Sequence, residues 1–207
     1  MRAGRFAARR GLAALAVLLI AGGCAASIDT LDVGYPAAGV NRAMLGSIRP
    51  LRIGISPIVD RRVDAGRIGS APPDGKSIVT SRPVPDIVHD ALATEIGKNG
   101  HTLIDTETDA VLSAEVDEFW LDIVPGYPDT HYVGKVAIAL AVVNGRTGER
   151  LLARRYIGIR RQHAGPESPD VRREVMDTAL ARTMRDLATD RELVGALSRL
   201  GRVSDPG

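Results

Sequence analysis

Ala110-Val111-Leu112-Ser113-Ala114-Glu115-Val116-Asp117-Glu118-Phe119-Trp120-Leu121-Asp122-Ile123-Val124 is the stretch that decides the fold of this 207-residue chain. Leu112, Ala114 and Val116 alternate with Ser113, Glu115 and Asp117, the period of two that marks a half-buried strand. Beyond Glu118 the apolar positions become Phe119, Leu121 and Ile123, which have the opposite parity. A one-residue slip sends every later side chain to the other face, so the spacing predicts a β-bulge near Glu118.

Downstream, Val133 to Val143 and Leu151 to Arg161 read as two more strands. They are joined through Asn144-Gly145-Arg146-Thr147-Gly148-Glu149, and Asn-Gly between apolar runs is a strong hairpin signal. Ser168-Pro169-Asp170 then supplies an N-cap, a first-turn proline and an acid near the positive helix end. A helix follows with Met176, Ala179, Leu180, Thr183, Met184 and Leu187 on one face. Thr189-Asp190 caps a last short helical segment around Leu193, Val194 and Leu197.

Upstream, Thr102-Leu103-Ile104 is a short strand, and Ile53 to Val59 is another that ends at Asp60-Arg61-Arg62. Between them Pro85 precedes Ile87, Val88, Ala91, Leu92 and Ile96, which recur at helical steps until Asn99-Gly100 stops the run. Residues 60–83 hold Gly66, Gly69, Pro72, Pro73, Gly75 and Pro83, a density of breakers that predicts a long exposed loop or hairpin. The order β-α-β-β-β-β-α predicts a two-layer α+β domain over residues 49–200. One mixed or antiparallel sheet of about five strands is covered by two helices and has a more polar second face. Residues 201–207 read as a disordered tail.

The first 23 residues carry four Arg and no acid, then an apolar run from Gly11 to Ala21. That is the plan of a secretory signal. The run is about half of the 20 apolar residues needed to span a bilayer. The single Cys follows as Ala21-Gly22-Gly23-Cys24, which resembles the lipobox of bacterial lipoproteins, with Ala where Leu is commoner three residues before the Cys. Lipidation of Cys24 then implies a protein tethered to a membrane by several acyl chains rather than spanning it. Residues 24–48 are rich in small and turn-forming types and read as a flexible tether. Leu31, Val33 and Tyr35 alternate within it, a pattern that allows part of it to dock as an extra strand.

Composition removes other classes. The formal charge of +2 becomes −2 once the leader is cut, because four of the 27 bases go with it and 23 face 25 acids. No basic footprint for nucleic acid remains. Aromatic residues are 3% of the chain, too few for stacking clefts, and one Cys with four scattered His offers no disulfide framework and no metal-ligand spacing. His89, His101, His131 and His163 read as exposed structural residues. Gly75-Lys76-Ser77 lacks the earlier glycine of a phosphate loop, where Ser70 stands instead, so no nucleotide site is expected.

Several of these pieces together resemble YajG-type bacterial lipoproteins. They are the lipobox, the segment Ile55 to Arg62, the glycine-rich loop holding Ile68-Gly69, Gly97-Lys98-Asn99-Gly100, Ala110-Val111-Leu112 and the Asn-Gly-Arg-Thr-Gly hairpin, covering roughly residues 50–197. The resemblance implies a Gram-negative envelope lipoprotein with no catalytic residues to carry over. Ala25, rather than the Asp linked to inner-membrane retention, favours the outer membrane.

The expected function is a non-catalytic binding or scaffolding module at the periplasmic face, with no cofactor beyond the lipid on Cys24. An envelope protein or cell-wall component is the expected partner. The sheet and the 60–83 loop are the expected binding surface, with Asp60, Arg61 and Arg62 and the arginines Arg154, Arg155, Arg160 and Arg161 as candidate contacts. Alternation sends Arg154 and Arg160 to one face and Arg155 and Arg161 to the other. Cross-strand pairing with acids is the alternative use of those four. The rival functions are an accessory lipoprotein of a lipid-transport ABC system or cell-wall synthase, and a cell-wall glycan hydrolase acting through Glu115 and Asp117. Glu118 and Asp122 are further acids on that strand, and Trp120 reads as a partly buried core or edge residue.

Overall fold

The computed structural model describes residues 28–36, 43–165 and 169–202. The expected leader, Cys24 and the last five residues lie outside them. Three antiparallel strands of fifteen residues each form the centre: β7 (Ala110–Val124), β8 (Thr130–Asn144) and β9 (Arg150–Ala164). The predicted bulge is present, with the register shifting between Val116 and Glu118. The 144–149 turn closes as expected. The Asn144 side-chain oxygen accepts from the Arg146 and Thr147 amides, and Gly148 takes a positive φ of 72° that favours glycine.

The free edge of β7 is filled in three instalments by the incoming chain. β2 (Arg52–Ile55) pairs at Ala110 to Leu112, β3 (Val59–Asp60) at Glu115 and Val116, and β4 (Gly69–Ala71) at Leu121, all parallel. β5 (Lys76–Thr80) returns antiparallel on β4, β1 (Ile28–Leu31) adds parallel to β5, and β6 (Thr102–Leu103) adds to β2. Among the described residues the sheet therefore has nine strands, not about five. The surplus is the β4–β5 hairpin within residues 60–83, the division of the 53–59 stretch into β2 and β3, and β1, whose partner β5 is remote in sequence.

Three helices cover one face: α1 (Val84–Lys98), α2 (Pro169–Ala188) and α3 (Arg191–Arg202). All six residues expected on the inner stripe of the 169–188 helix are buried, Thr183 included. Its approach is close enough that glycine is required beneath it. A Cβ on Gly158 would lie 2.0 Å from the Ala179 carbonyl oxygen, and one on Gly134 would lie 2.9 Å from that of Val175. Phe119, Tyr132, Ile53, Leu112 and Leu121 fill the interface, each contributing about 1.5–3 kcal/mol on burial.

The segment read as a flexible tether is largely part of the domain. Leu31, Val33 and Leu45 are buried, and a single 3-10 turn spans Met44–Ser47. Residues 34–36 bridge two helices: the Gly34 amide donates to Asp177 on α2 at 2.9 Å, and the Tyr35 hydroxyl donates to buried Glu95 on α1. Among the described residues, packing thus extends ahead of residue 49 to β1 and to Leu31 and Val33. Residues 60–83 are likewise a hairpin of β4 and β5 preceded by a loop, with Gly75 at φ 65° in its turn.

His101 is buried, not exposed. Its Nδ1 accepts the Leu51 amide and its Nε2 faces the Leu45 carbonyl, both at 3.2 Å, so the ring is the neutral tautomer with hydrogen on Nε2. Burial pushes its pKa down, only partly offset by the Leu45 carbonyl. A base depressed in the folded state binds fewer protons than in the unfolded chain, so stability rises with pH across that gap. The expected result is a Tm that falls as pH drops from about 6.5 toward the lowered folded value. A His101→Gln variant should have a flatter pH profile there, which thermal unfolding at stepped pH checks.

Candidate functional site

The helices leave the opposite face of β7, β8 and β9 uncovered, and the loop between β3 and β4 arches over its middle. Arg62 shapes this loop. Its side chain is only 6% exposed and makes a two-pronged pair with Asp60, at 2.9 and 2.8 Å, while also donating to the carbonyls of Ala65 and Arg67 at 3.0 and 3.1 Å. Desolvation raises the Asp60 carboxyl, but the hydrogen bonds and charge of Arg62 outweigh it and hold the group below the usual carboxylate range. Arg67 pairs with Asp64 at 2.6 Å and places its guanidinium 5.8 Å from the Trp120 ring, a cation–π arrangement.

Beneath the loop runs an open groove of about 600 Å³, lined by loop residues Arg62, Val63, Asp64 and Arg67 and by strand residues that include Trp120, Lys135 and Arg155. The bulge creates this surface. After the register shift, Glu118, Trp120 and Asp122 turn outward opposite Ala137, Lys135 and Val133. Trp120 Nε1 donates to Asp122 at 2.8 Å, Lys135 Nζ meets the other Asp122 oxygen at 2.8 Å, and Glu118 lies 4.0 Å away. Hydrogen bonding to Asp122 raises the Lys135 pKa against the pull of desolvation, so the amine stays cationic at neutral pH. Arg155, opposite small Ala139, reaches across β8 to Asp117 at 2.8 Å.

The seven candidate contact residues separate. Asp60 and Arg62 are spent on each other, and exposed Arg61 pairs with Glu115 at 3.4 Å. Arg155 lines the groove, and Arg161 lines the adjoining hollow with Ser70, Trp120 and Lys135. Arg154 and Arg160 lie on the helix side, as their parity requires. Arg154 pairs with Asp190 at 3.2 Å and Glu192 at 2.5 Å, and Arg160 donates to Gln162 at 2.9 Å. Asp190 also accepts from the Tyr156 hydroxyl at 2.7 Å, and burial first, then that bond, pushes the phenol's pKa up. Val63, Asp64 and Arg67 belong to the 60–83 loop that the sequence offers as a surface without singling them out, and Lys135 is the lining residue it leaves out. Outward parity after the bulge was the available signal for Lys135. Nothing local marks the loop residues.

The topology matches a solved protein. The chain shares its fold with XCC0632. That protein, from Xanthomonas campestris and described under the family model DUF330, overlays with a TM-score of 0.55 at 13% identity, covering 82% of this chain and 97% of its own. A minor lipoprotein from Acinetobacter baumannii overlays at 0.38 and 12% identity, over 66% of this chain and 91% of its own. The lipoprotein GNA1162 from Neisseria meningitidis overlays at 0.29 and 17% identity, over 55% and 85%. The likeness of fold rests on XCC0632. No family model matches the sequence, and no curated protein matches it. Among the described residues no helix is long and apolar enough to cross a membrane.

Proposed function

We propose that the chain is an envelope lipoprotein, anchored through acylated Cys24 to the periplasmic face of the outer membrane, whose uncovered sheet face binds another envelope component without catalysis. The YajG-type resemblance belongs to this reading, as does outer-membrane placement from Ala25. The observation that carries it is the groove itself. Its walls bear alternating charges set around an indole, Asp64, Arg67, Asp122, Lys135, Glu118, Asp117 and Arg155, with fully exposed Val63 at the rim. A lattice of both signs around an apolar centre suits a protein surface of complementary pattern, where charge sets register and the apolar core supplies affinity.

Such a surface fits equally an accessory subunit docking on a transport or synthase complex. The glycan-hydrolase reading fares worse. A glycosidase pair needs one protonated carboxyl facing the substrate, yet Glu115 and Asp117 are each held by an arginine.

Two experiments test the proposal. Cys24→Ser should remove palmitate labelling and move the chain from the membrane to the soluble fraction. A photo-crosslinker at Val63 should capture one discrete species in cells. Its yield should fall at least fivefold in Lys135→Glu/Arg155→Glu and stay level in Arg154→Glu, whose side chain is on the other face. Equal loss in both variants, or crosslinking unaffected by either, overturns the groove as the binding surface.

A further inference from the structure

The sheet has two ends of contrasting chemistry. Register places the start of β1 beside the start of β5, the end of β4 beside the end of β7, and the start of β8 opposite the end of β9. One end therefore gathers Ile28, the β4–β5 turn and the β7–β8 turn. Ile28 is 59% exposed, Val124 55% and Tyr127 fully so, with Pro73, Pro125 and Pro128 exposed around them. The opposite end presents the exposed tips Asp105, Thr106 and Glu107 and Arg146, Thr147 and Glu149, with Leu103 and Met44 exposed only 42% and 39%.

Only three residues separate Cys24 from Ile28. Four peptide steps reach at most roughly 14 Å. The headgroup layer on each side of a bilayer is about 5–8 Å thick. A lipid on Cys24 thus leaves the Ile28 end of the domain no room to drift clear of the surface.

We propose that the end bearing Ile28, Val124 and Tyr127 sits in the headgroup layer of the bilayer, standing the long strands off the membrane with the 145–149 hairpin outermost. The proposal rests on the lipoprotein reading above. Tyrosine is suited to this layer because its ring is apolar and its hydroxyl is wet. Gly126 keeps the turn that presents Tyr127 tight, since a Cβ there would lie 2.5 Å from the Asp129 carbonyl oxygen. Charges at this end are of both signs: Lys76 with Asp74 and Asp129, and Asp29 already paired with Arg172. The contact is therefore apolar and does not depend on anionic lipid. With about 3.3 Å per residue, fifteen-residue strands carry the far hairpin roughly 50 Å outward.

Acylation consumes the thiol of the chain's only cysteine, so Tyr127→Cys and Arg146→Cys each give one labelling site on the full-length lipoprotein. Both positions are exposed and neither substitution touches the core. The probe is a polarity-sensitive fluorophore, read in phosphatidylcholine vesicles with and without nitroxide-bearing lipid. The label at 127 should lose at least half its emission and the label at 146 less than a tenth, unchanged between low and high salt. Equal quenching at both sites, no quenching at 127, or quenching abolished by salt, with mass spectrometry showing acylated Cys24, overturns the orientation and leaves the lipoprotein reading intact. An unmodified Cys24 overturns both.

Discussion

Gly158→Ala is expected to destabilise the fold by about 3 kcal/mol or more, at the upper end of what overpacking costs. The new Cβ would sit 2.0 Å from the Ala179 carbonyl oxygen, 2.5 Å from Thr183 Oγ1 and 2.7 Å from the Thr183 amide nitrogen. Two of those three atoms are backbone of α2 and cannot swing aside. Relief requires the whole helix to lift from β9, which opens the layer holding Val175, Met176 and Leu180. Gly97→Ala is the matched control. It also adds one methyl, but in α1 with nothing within 4 Å, and helix propensity there favours Ala by about 1 kcal/mol. Denaturant titration of both proteins should move the midpoint sharply down for the first and up for the second. A small loss for Gly158→Ala would mean that α2 does not rest directly on β9.

Arg62→Ala is expected to cost roughly 2–4 kcal/mol, because it removes a nearly buried guanidinium and leaves Asp60 and two carbonyls without their donor. The double variant Asp60→Ala/Arg62→Ala should be more stable than Arg62→Ala alone, since it no longer strands a partly buried carboxylate. The pH dependence has a defined sign. Asp60 is depressed in the folded state, so the pair's contribution is complete above about pH 4 and is lost as pH falls through the lowered folded value. Amide exchange of residues 61–68 in the single variant should accelerate well beyond that of β7 and β8, which share only the loss of global stability. Uniform acceleration across the sheet would place Arg62 in global stability rather than in holding the loop.

Legibility in the sequence followed the range of the interaction. The bulge at 116–118 was visible because it reverses parity within one strand, and the 144–149 turn because Asn-Gly is a local requirement. The stripe of the 169–188 helix repeats at 3.6 residues and needs no knowledge of what it covers. Apart from the β4–β5 hairpin, the failures are non-local. Ile28–Leu31 is a strand only because β5 offers it an edge, and Leu45 is buried only because His101 and α3 lie nearby. His101 reads as polar in isolation, yet its ring is consumed by two backbone groups. The candidate site divides the same way. Parity separated Arg155 and Arg161 from Arg154 and Arg160. The arch that brings Arg67 to Trp120 depends on how Arg62 folds residues 61–68, and no spacing rule encodes that.

The piecewise filling of one β7 edge has a consequence for diversification. Because β2, β3 and β4 are separate short ladders, each anchored at its own address on a continuous rail, the stretches between them are independent inserts. Lengthening or recolouring residues 63–66 would leave Arg62, buried Ile68 and the Gly69 and Val59 attachments in place. The rim above the indole is therefore adaptable ground on a fixed chassis, and new partners can be accommodated there without renegotiating the fold.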